Sequence, residues 1–472
     1  MESLLDIWRE MGQAVIGLVT LPYFYIAIAL VWWYTRRGVS LQRKLFHVRM
    51  YGTITLTLTR LLGGIAIGAA LSLVSFGAGA DLTSETLIFL WITMGVLALF
   101  RLRYICMAYA VGMIGVLQAV SDWTGLEASA QGILADTAES LAAIDTPGLL
   151  FMAGMLHIGE GLLVRLQGSK LSIPLFLQGK RGKPMGGYAL AGVWPIPLIW
   201  LIPASSGGFT LPWTPLFGMG GETAGWSLLA FPVLISFSDR TVSFWPEEKS
   251  RISGSLLILS GAIVAALAVG AHYWSPLVIA ASLAAFLLHE GLLFISRWRE
   301  RGRDPRYSQE WMGVKVLAVL PYTPAADLGL QAGEVIKKVN GAAVRSKEQL
   351  HAALERQSAF CKLEVVNREG HIKFLQRARY EGEHYQLGII LAPDEGTEFV
   401  AGPRAGSLWH GWREAGAQRR KASPTMLARR ETELAEAEQA AAAVQLALEA
   451  AQLEEIIEDP GLPPRLSKKN EV

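Results

Sequence analysis

The sequence predicts a polytopic α-helical membrane domain, then a small α+β domain, then a helical or disordered tail. Three observations carry this. Hydrophobic residues make up 51% of the 472 residues and charged ones only 18%, against roughly 25% charged in an ordinary soluble protein. The long apolar runs all lie before about residue 296, and from about Gly313 they give way to short β-like runs separated by turns. After Pro393 large apolar residues become scarce. The divisions therefore fall at 1–300, 301–393 and 394–472. A net charge of +2 gives no footing for a nucleic-acid binder. Two cysteines exclude a disulfide framework: Cys106 lies in a hydrophobic run, Cys361 lies in the α+β domain, and neither has metal-ligand company. No metal or cofactor is expected.

Runs near 14–34, 61–80, 86–100, 104–120, 147–164, 188–203, 226–238, 253–272 and 276–295 predict nine spans, judged against the ~20 residues a bilayer-crossing helix needs. Two are weaker. Pro195 and Pro197 would kink 188–203, and 226–238 is short, so the expected range is six to nine. Loop charge sets orientation, since Lys and Arg near span ends stay cytoplasmic. Arg36, Arg37, Arg43, Lys44 and Arg49 follow the first span without an acid, and Arg165 to Lys183 is likewise basic. The stretch from Ser121 to Thr146 carries Asp122, Glu127, Asp136, Glu139 and Asp145 and no base, which suits the outer face. Arg297, Arg299, Arg301, Arg303 and Arg306 follow the last span, so everything from residue 297 is expected to be cytoplasmic. An odd span count then puts the N-terminus outside, and the first span reads as a retained anchor, not a signal peptide.

Four ionisable residues fall inside spans: His157, Glu160, His289 and Glu290. A charge in hydrocarbon costs several kcal/mol and needs a role or a partner. His157 and Glu160 are three apart and share a helix face. Glu160-Gly161-Leu162-Leu163 recurs as Glu290-Gly291-Leu292-Leu293, a hint of internal duplication. One reading is a polar pair at a repeat interface that guides a small molecule. The plainer reading is that each side chain snorkels or bonds a neighbouring helix near its cytoplasmic span end. His289-Glu290 also begins an intramembrane zinc-protease motif, but the second His would fall at Leu293, so that motif supplies no ligand pair.

In the α+β domain, Gly313 to Leu320 is a Val- and Leu-rich strand. It leads into Pro324-Ala325, then Gly329-Leu330, then Ala332-Gly333-Glu334-Val335-Ile336, then Val339-Asn340-Gly341. Ser346 to Gln357 is an amphipathic helix with Ser346 as N-cap and Leu350 and Leu354 on one face. Lys362 to Val366, His371 to Arg379 and Leu387 to Leu391 supply further strands. Gly333 and Gly341 suit turns, while Val335, Ile336 and Val339 suit a core.

Over about 80 residues this pattern resembles a PDZ domain. The resemblance implies capture of an extended peptide as an added strand beside a helix. Gln386-Leu387-Gly388-Ile389, at the end of the domain instead of its start, resembles the carboxylate loop in the permuted strand order of bacterial PDZ domains. The implied groove lies between Ile389 to Leu391 and the helix, with Leu350 and Leu354 lining its pocket or serving as core. The unusual loop leaves both C-terminal and internal-strand ligands open.

The tail will not form a core. Within it 424–458 is helix-prone, with Leu427, Leu434, Ala441 and Leu448 seven apart. Alanine at one seam position favours a lone or transient helix over a coiled coil. The terminal Asn470-Glu471-Val472 has the general form of a PDZ ligand, as any chain ending in Val does, so a homo-oligomer stays open. No nucleophile motif and no Walker-type phosphate loop is present, so no enzyme is expected.

The polytopic half, the basic juxtamembrane stretch and one C-terminal PDZ-like domain together resemble the MinJ family, the cell-division topological determinants of rod-shaped Gram-positive bacteria. The resemblance implies a multi-pass membrane adaptor at septa and poles. Its partners would be the lipid bilayer, the scaffold DivIVA and the membrane-associated ATPase MinD, and through MinD the division inhibitor MinC. A membrane protease, or a transporter or export component with a regulatory PDZ domain, is the alternative.

Overall fold

The computed structural model describes residues 2–394 except 81, 101–103, 126–130, 180–182, 205–207, 218–224, 309–311, 358 and 379–386. The tail with its expected helix over 424–458, and also Glu127, Arg379 and Gln386, lie outside the described residues.

Among the described residues, nine helices and a three-stranded sheet make up the region before residue 302. The first apolar run is two helices, α1 (Glu2–Thr20) and α2 (Pro22–Phe46), bent by 56° at their junction. The run expected as a span over 14–34 thus falls on two helices that together are long and apolar enough for one bent span. Pro22 has no N–H for the preceding turn and forces Leu21 into extended backbone (φ −70°, ψ 128°), so the helix must restart there. Arg36 and Arg37 lie over the Trp32 and Trp33 rings at 5.2 and 5.7 Å, a basic–aromatic girdle of the kind found at membrane surfaces.

Next come α3 (Thr53–Ala78), α4 (Ser84–Phe100), α5 (Met107–Thr124), α6 (Ile133–Ala142), α7 (Thr146–Gln167), α8 (Pro246–Tyr273) and α9 (Leu277–Arg301). Four of these, α3, α7, α8 and α9, are long and apolar enough to cross a membrane, and the bent pair makes a fifth if counted as one span. The apolar part of α4, Glu85–Phe100, is shorter. Nine spans are therefore not found among the described residues.

Two of the expected spans are strands. β1 (Ile173–Gln178), β2 (Pro184–Pro203) and β3 (Trp226–Thr241) form an antiparallel sheet in that order. β2 and β3 pair continuously from Tyr188↔Thr241 to Pro203↔Trp226, a ribbon about 50 Å long at ~3.3 Å per residue. Proline explains why 188–203 is not a helix. A strand tolerates Pro where no ladder donor is needed, on an edge. Beyond Ala189 the edge of β2 away from β3 has no strand partner among the described residues, and α3 covers it.

A Cβ on Gly64 would come within 2.0 Å of the Pro195 carbonyl oxygen, and one on Gly68 within 2.4 Å of that of Pro197. The Ser72 hydroxyl accepts from the Ile199 N–H at 2.9 Å, and the Ser75 hydroxyl donates to the Ile199 carbonyl at 3.2 Å. Arg60, buried on α3, donates to the Thr35 hydroxyl at 2.5 Å and to the Ala191 carbonyl at 3.3 Å. One guanidinium thus joins α2, α3 and β2.

Helices α7 and α8 meet through glycines seven apart in each. A Cβ on Gly154 would come within 2.7 Å of the Gly261 carbonyl, and one on Gly161 within 2.6 Å of the Gly254 carbonyl. Close backbone approach through small residues is the usual way apolar helices associate in lipid. Gly291, the counterpart of Gly161 in the repeated tetrapeptide, has open space around it, so the two copies do not make equivalent packing contacts.

At one end of α8 the buried Lys249 ammonium lies 3.3 Å from Asp239 of β3 and 3.1 Å from Glu300 of α9. It also donates to the Ser296 hydroxyl at 2.8 Å. Glu300 accepts in addition from the Ser243 hydroxyl at 2.8 Å.

The C-terminal region is an α+β unit with its own core. Its elements are β4 (Val314–Val319), α10 (Pro324–Asp327), β5 (Val335–Val339), β6 (Ala342–Ala343), α11 (Lys347–Glu355), β7 (Phe360–Val366), β8 (Ile372–Ala378) and β9 (Ile389–Leu391). The sheet order is β8-β7-β5-β4-β9, with β6 on β5. Ser346 caps α11, its side chain accepting from the Gln349 N–H. Gly333 and Gly341 take φ of 91° and 85°, and Val335, Ile336 and Val339 are buried.

This region seats on the helical one. The Gly186 N–H donates to the Tyr307 carbonyl at 2.9 Å, and the Tyr188 hydroxyl donates to the Leu317 carbonyl. Burial raises the Tyr188 and Tyr307 phenols above their ordinary range, so both remain neutral. The guanidinium groups of Arg306 and Arg368 both pack on Trp245, 4.8 and 4.2 Å from its ring centre. A Cβ on Gly333 would come within 2.1 Å of the same indole.

Candidate functional site

Two groups of residues are placed by these elements. The first is the end of the small sheet. β9 pairs with β4 along one edge, Val316↔Leu391, Ala318↔Ile390 and Val319↔Ile389. Its other edge has no strand partner among the described residues, so it is the sheet's terminal strand. The turn into it is held in left-handed backbone, Leu387 at φ 59° and Gly388 at φ 79°. The Leu320 N–H donates to the Gly388 carbonyl at 2.8 Å and the Ala325 N–H to the Leu387 carbonyl at 2.9 Å, which fixes the turn against the start of α10. A side chain at 388 would collide with Thr323, because a Cβ there would come within 2.3 Å of the Thr323 Cβ.

Leu350, Leu354, Leu387 and Ile389 are all buried in one hydrophobic cluster, against which the half-buried Leu391 packs. The two leucines of α11 thus face the same core as β9. Their burial makes them floor and wall of that core as they stand, while the outer edge of β9 has no strand partner among the described residues.

The second group is in the helical region. His157 of α7 and His289 of α9 meet, His157 Nε2 lying 3.0 Å from His289 Nδ1. Cys106, at the N-cap of α5, brings its Sγ to 3.7 Å from the same Nε2. The three candidate ligand atoms all lie within 4.8 Å of one another. The Tyr109 hydroxyl donates to Glu290 at 2.9 Å, and its ring stands edge-on to His289 at 4.8 Å. His157 and Glu160 are 4% and 5% exposed, so neither side chain reaches out to a surface.

The expectation that Cys106 lacks metal-ligand company is corrected here. Its neighbours are 51 and 183 residues away along the chain, beyond any local motif. Tyr109 was missed for the same reason. Neither Cys106 nor Cys361 is in a disulfide.

No protein-family model matches the chain. Curated proteins do. The "Cell division topological determinant MinJ" of Bacillus subtilis (strain 168) is 32% identical over 384 residues, which cover 79% of this chain and 92% of that protein. The chain belongs to the MinJ family. Two further members, each named "Probable cell division topological determinant MinJ", come from Lacticaseibacillus paracasei and Lacticaseibacillus casei (strain BD-II). Each is 24% identical over 270 residues, 54% of this chain and 71% of its own length. Membership of the MinJ family supports a role in the topological determination of cell division. It agrees with the apolar helices, which suit insertion in a membrane.

Proposed function

We propose that the chain is a membrane-anchored adaptor in division-site selection. Residues 1–300 serve as the anchor, 301–393 as a cytoplasmic PDZ-type peptide binder and 394–472 as a tail. The adaptor joins a DivIVA-like scaffold at poles and nascent septa to a MinD-like ATPase, and through it to MinC. The observation that carries this reading is the 32% identity to a named topological determinant across nearly that protein's whole length.

The C-terminal region supports the binding step. A terminal strand preceded by a left-handed turn can accept an extended segment through main-chain hydrogen bonds. Confinement to the membrane raises the effective concentration of partners, so contacts that are weak in solution suffice. Localisation tests the proposal. A fluorescent fusion should concentrate at septa and poles and should spread along the membrane when the polar scaffold is deleted. Uniform membrane fluorescence throughout division in cells with the scaffold intact would overturn it.

A further inference from the structure

We propose that Cys106, His157 and His289 form a binding site for a zinc-class transition-metal ion. One Cys thiolate and two imidazoles suit zinc or a cation of similar softness, whereas magnesium and calcium take oxygen donors.

The geometry fits. Ligand bonds of about 2.0–2.1 Å to nitrogen and 2.3 Å to sulfur put tetrahedral ligand atoms roughly 3.4 and 3.6 Å apart. The observed separations are 3.0 Å between His157 and His289 and 3.7 Å between Cys106 and His157. Cys106 Sγ and His289 Nδ1, the third pair, lie within 4.8 Å, so a cation between the three draws these two together by up to about 1 Å from the ~3.6 Å a tetrahedral N–S pair needs, a closure within side-chain rotation. The donors come from three different helices, α5, α7 and α9, so a bound ion would clasp them.

Their surroundings also suit a cation. His157 is 4% exposed, and the ring nitrogen it turns toward both Cys106 and His289 is the same one, Nε2. Two carboxylates stand beside the cluster: Glu160, one turn from His157 and close enough to act electrostatically on Cys106, and Glu290, next to His289 and bonded by the Tyr109 hydroxyl. Thiolate, Glu160 and Glu290 together can offset a dication that apolar surroundings would otherwise reject. Three protein ligands leave the fourth tetrahedral position for water or another donor.

The test uses the full chain purified in detergent, stripped of metal, and titrated with Co2+ as a spectroscopic stand-in for Zn2+. One equivalent should bind and produce thiolate-to-cobalt charge-transfer absorption, and Zn2+ should displace it. Cys106→Ser should abolish the band and His289→Gln should weaken binding at least tenfold, while Cys361→Ser should change neither. Should a ligand variant fail to fold, the otherwise wild-type Cys361→Ser protein supplies the second measurement. Zn2+ should slow alkylation of Cys106 by at least tenfold. A charge-transfer band that survives Cys106→Ser, or an alkylation rate that Zn2+ leaves unchanged, would overturn the site.

Discussion

Replacing Lys249 with Met removes a buried cation shared by Asp239 and Glu300, and the structure sets the size of the effect. The ammonium is 3% exposed and lies 3.3 and 3.1 Å from the two carboxylates, themselves 14% and 15% exposed. At an effective dielectric of ~20 each contact is worth about 5 kcal/mol before desolvation is counted. The net cost of breaking a buried pair is about 3–5 kcal/mol, because the partner is left as an uncompensated charge. Partial exposure of both acids lets water take up some of that, which argues for the lower end, about 3 kcal/mol. That is roughly a hundredfold in the unfolding equilibrium.

Removing both acids along with the cation should rescue the fold. Met at 249 with Asn at 239 and Gln at 300 leaves no buried charge. Ser296 and Ser243 still find acceptors there, so Lys249→Met/Asp239→Asn/Glu300→Gln should return to within about 1 kcal/mol of wild type. The assay is thermal loss of the monodisperse peak in detergent for wild type, single and triple variants. A single variant as stable as wild type, or a triple variant no better than the single, would mean that an uncompensated buried charge is not what destabilises Lys249→Met.

Other expectations rest on separate contacts. Gly388→Val should disable the end of the small sheet, since φ of 79° and the Thr323 side chain both exclude a Cβ; loss of polar focusing of the fusion with the protein still in the membrane is the readout. Gly161→Leu should separate α7 from α8 and lower the thermal midpoint more than Gly291→Leu, whose site is open. Trp245→Ala should loosen the seat of the C-terminal region by removing the indole shared by Arg306 and Arg368. Each cation–π contact is worth about 0.5–2 kcal/mol, and faster limited proteolysis between 302 and 313 measures the loss. Arg60→Met should weaken the junction of α2, α3 and β2, read as a lower thermal midpoint.

Local signals were enough wherever a residue's role is decided by its neighbours in sequence. Ser346 precedes an amphipathic run and caps it. Gly333 and Gly341 stand at turns with φ of 91° and 85°, and the strands expected over 313–320, 362–366, 371–379 and 387–391 are β4, β7, β8 and β9 in nearly the same places. The glycine pairs 154/161 and 254/261 were present in the sequence but carried no signal until α7 and α8 were side by side. The histidine cluster was less legible still. His157 and His289 stood out as polar residues in apolar runs, but nothing local indicates that they meet or that Cys106 completes the group.

The hairpin of β2 and β3 shows where hydropathy alone misleads. An apolar run reports that a segment is buried, not whether its own backbone or a neighbour satisfies its hydrogen bonds. In lipid, helices satisfy theirs internally, and other backbone is tolerated only where protein covers it. Pro195 and Pro197 weaken the first option for 188–203 by deleting donors, and the second requires a partner on each edge. β3 supplies one edge through continuous pairing. Gly64, Gly68, Ser72, Ser75 and Arg60 of α3 supply the other, the glycines by letting the helix approach the strand carbonyls, Ser75 and Arg60 by donating to strand carbonyls and Ser72 by accepting from the Ile199 N–H. The strand and the small-residue face of α3 are therefore one device. A bulky residue at Gly64 should disrupt the hairpin as surely as a change within β2 itself.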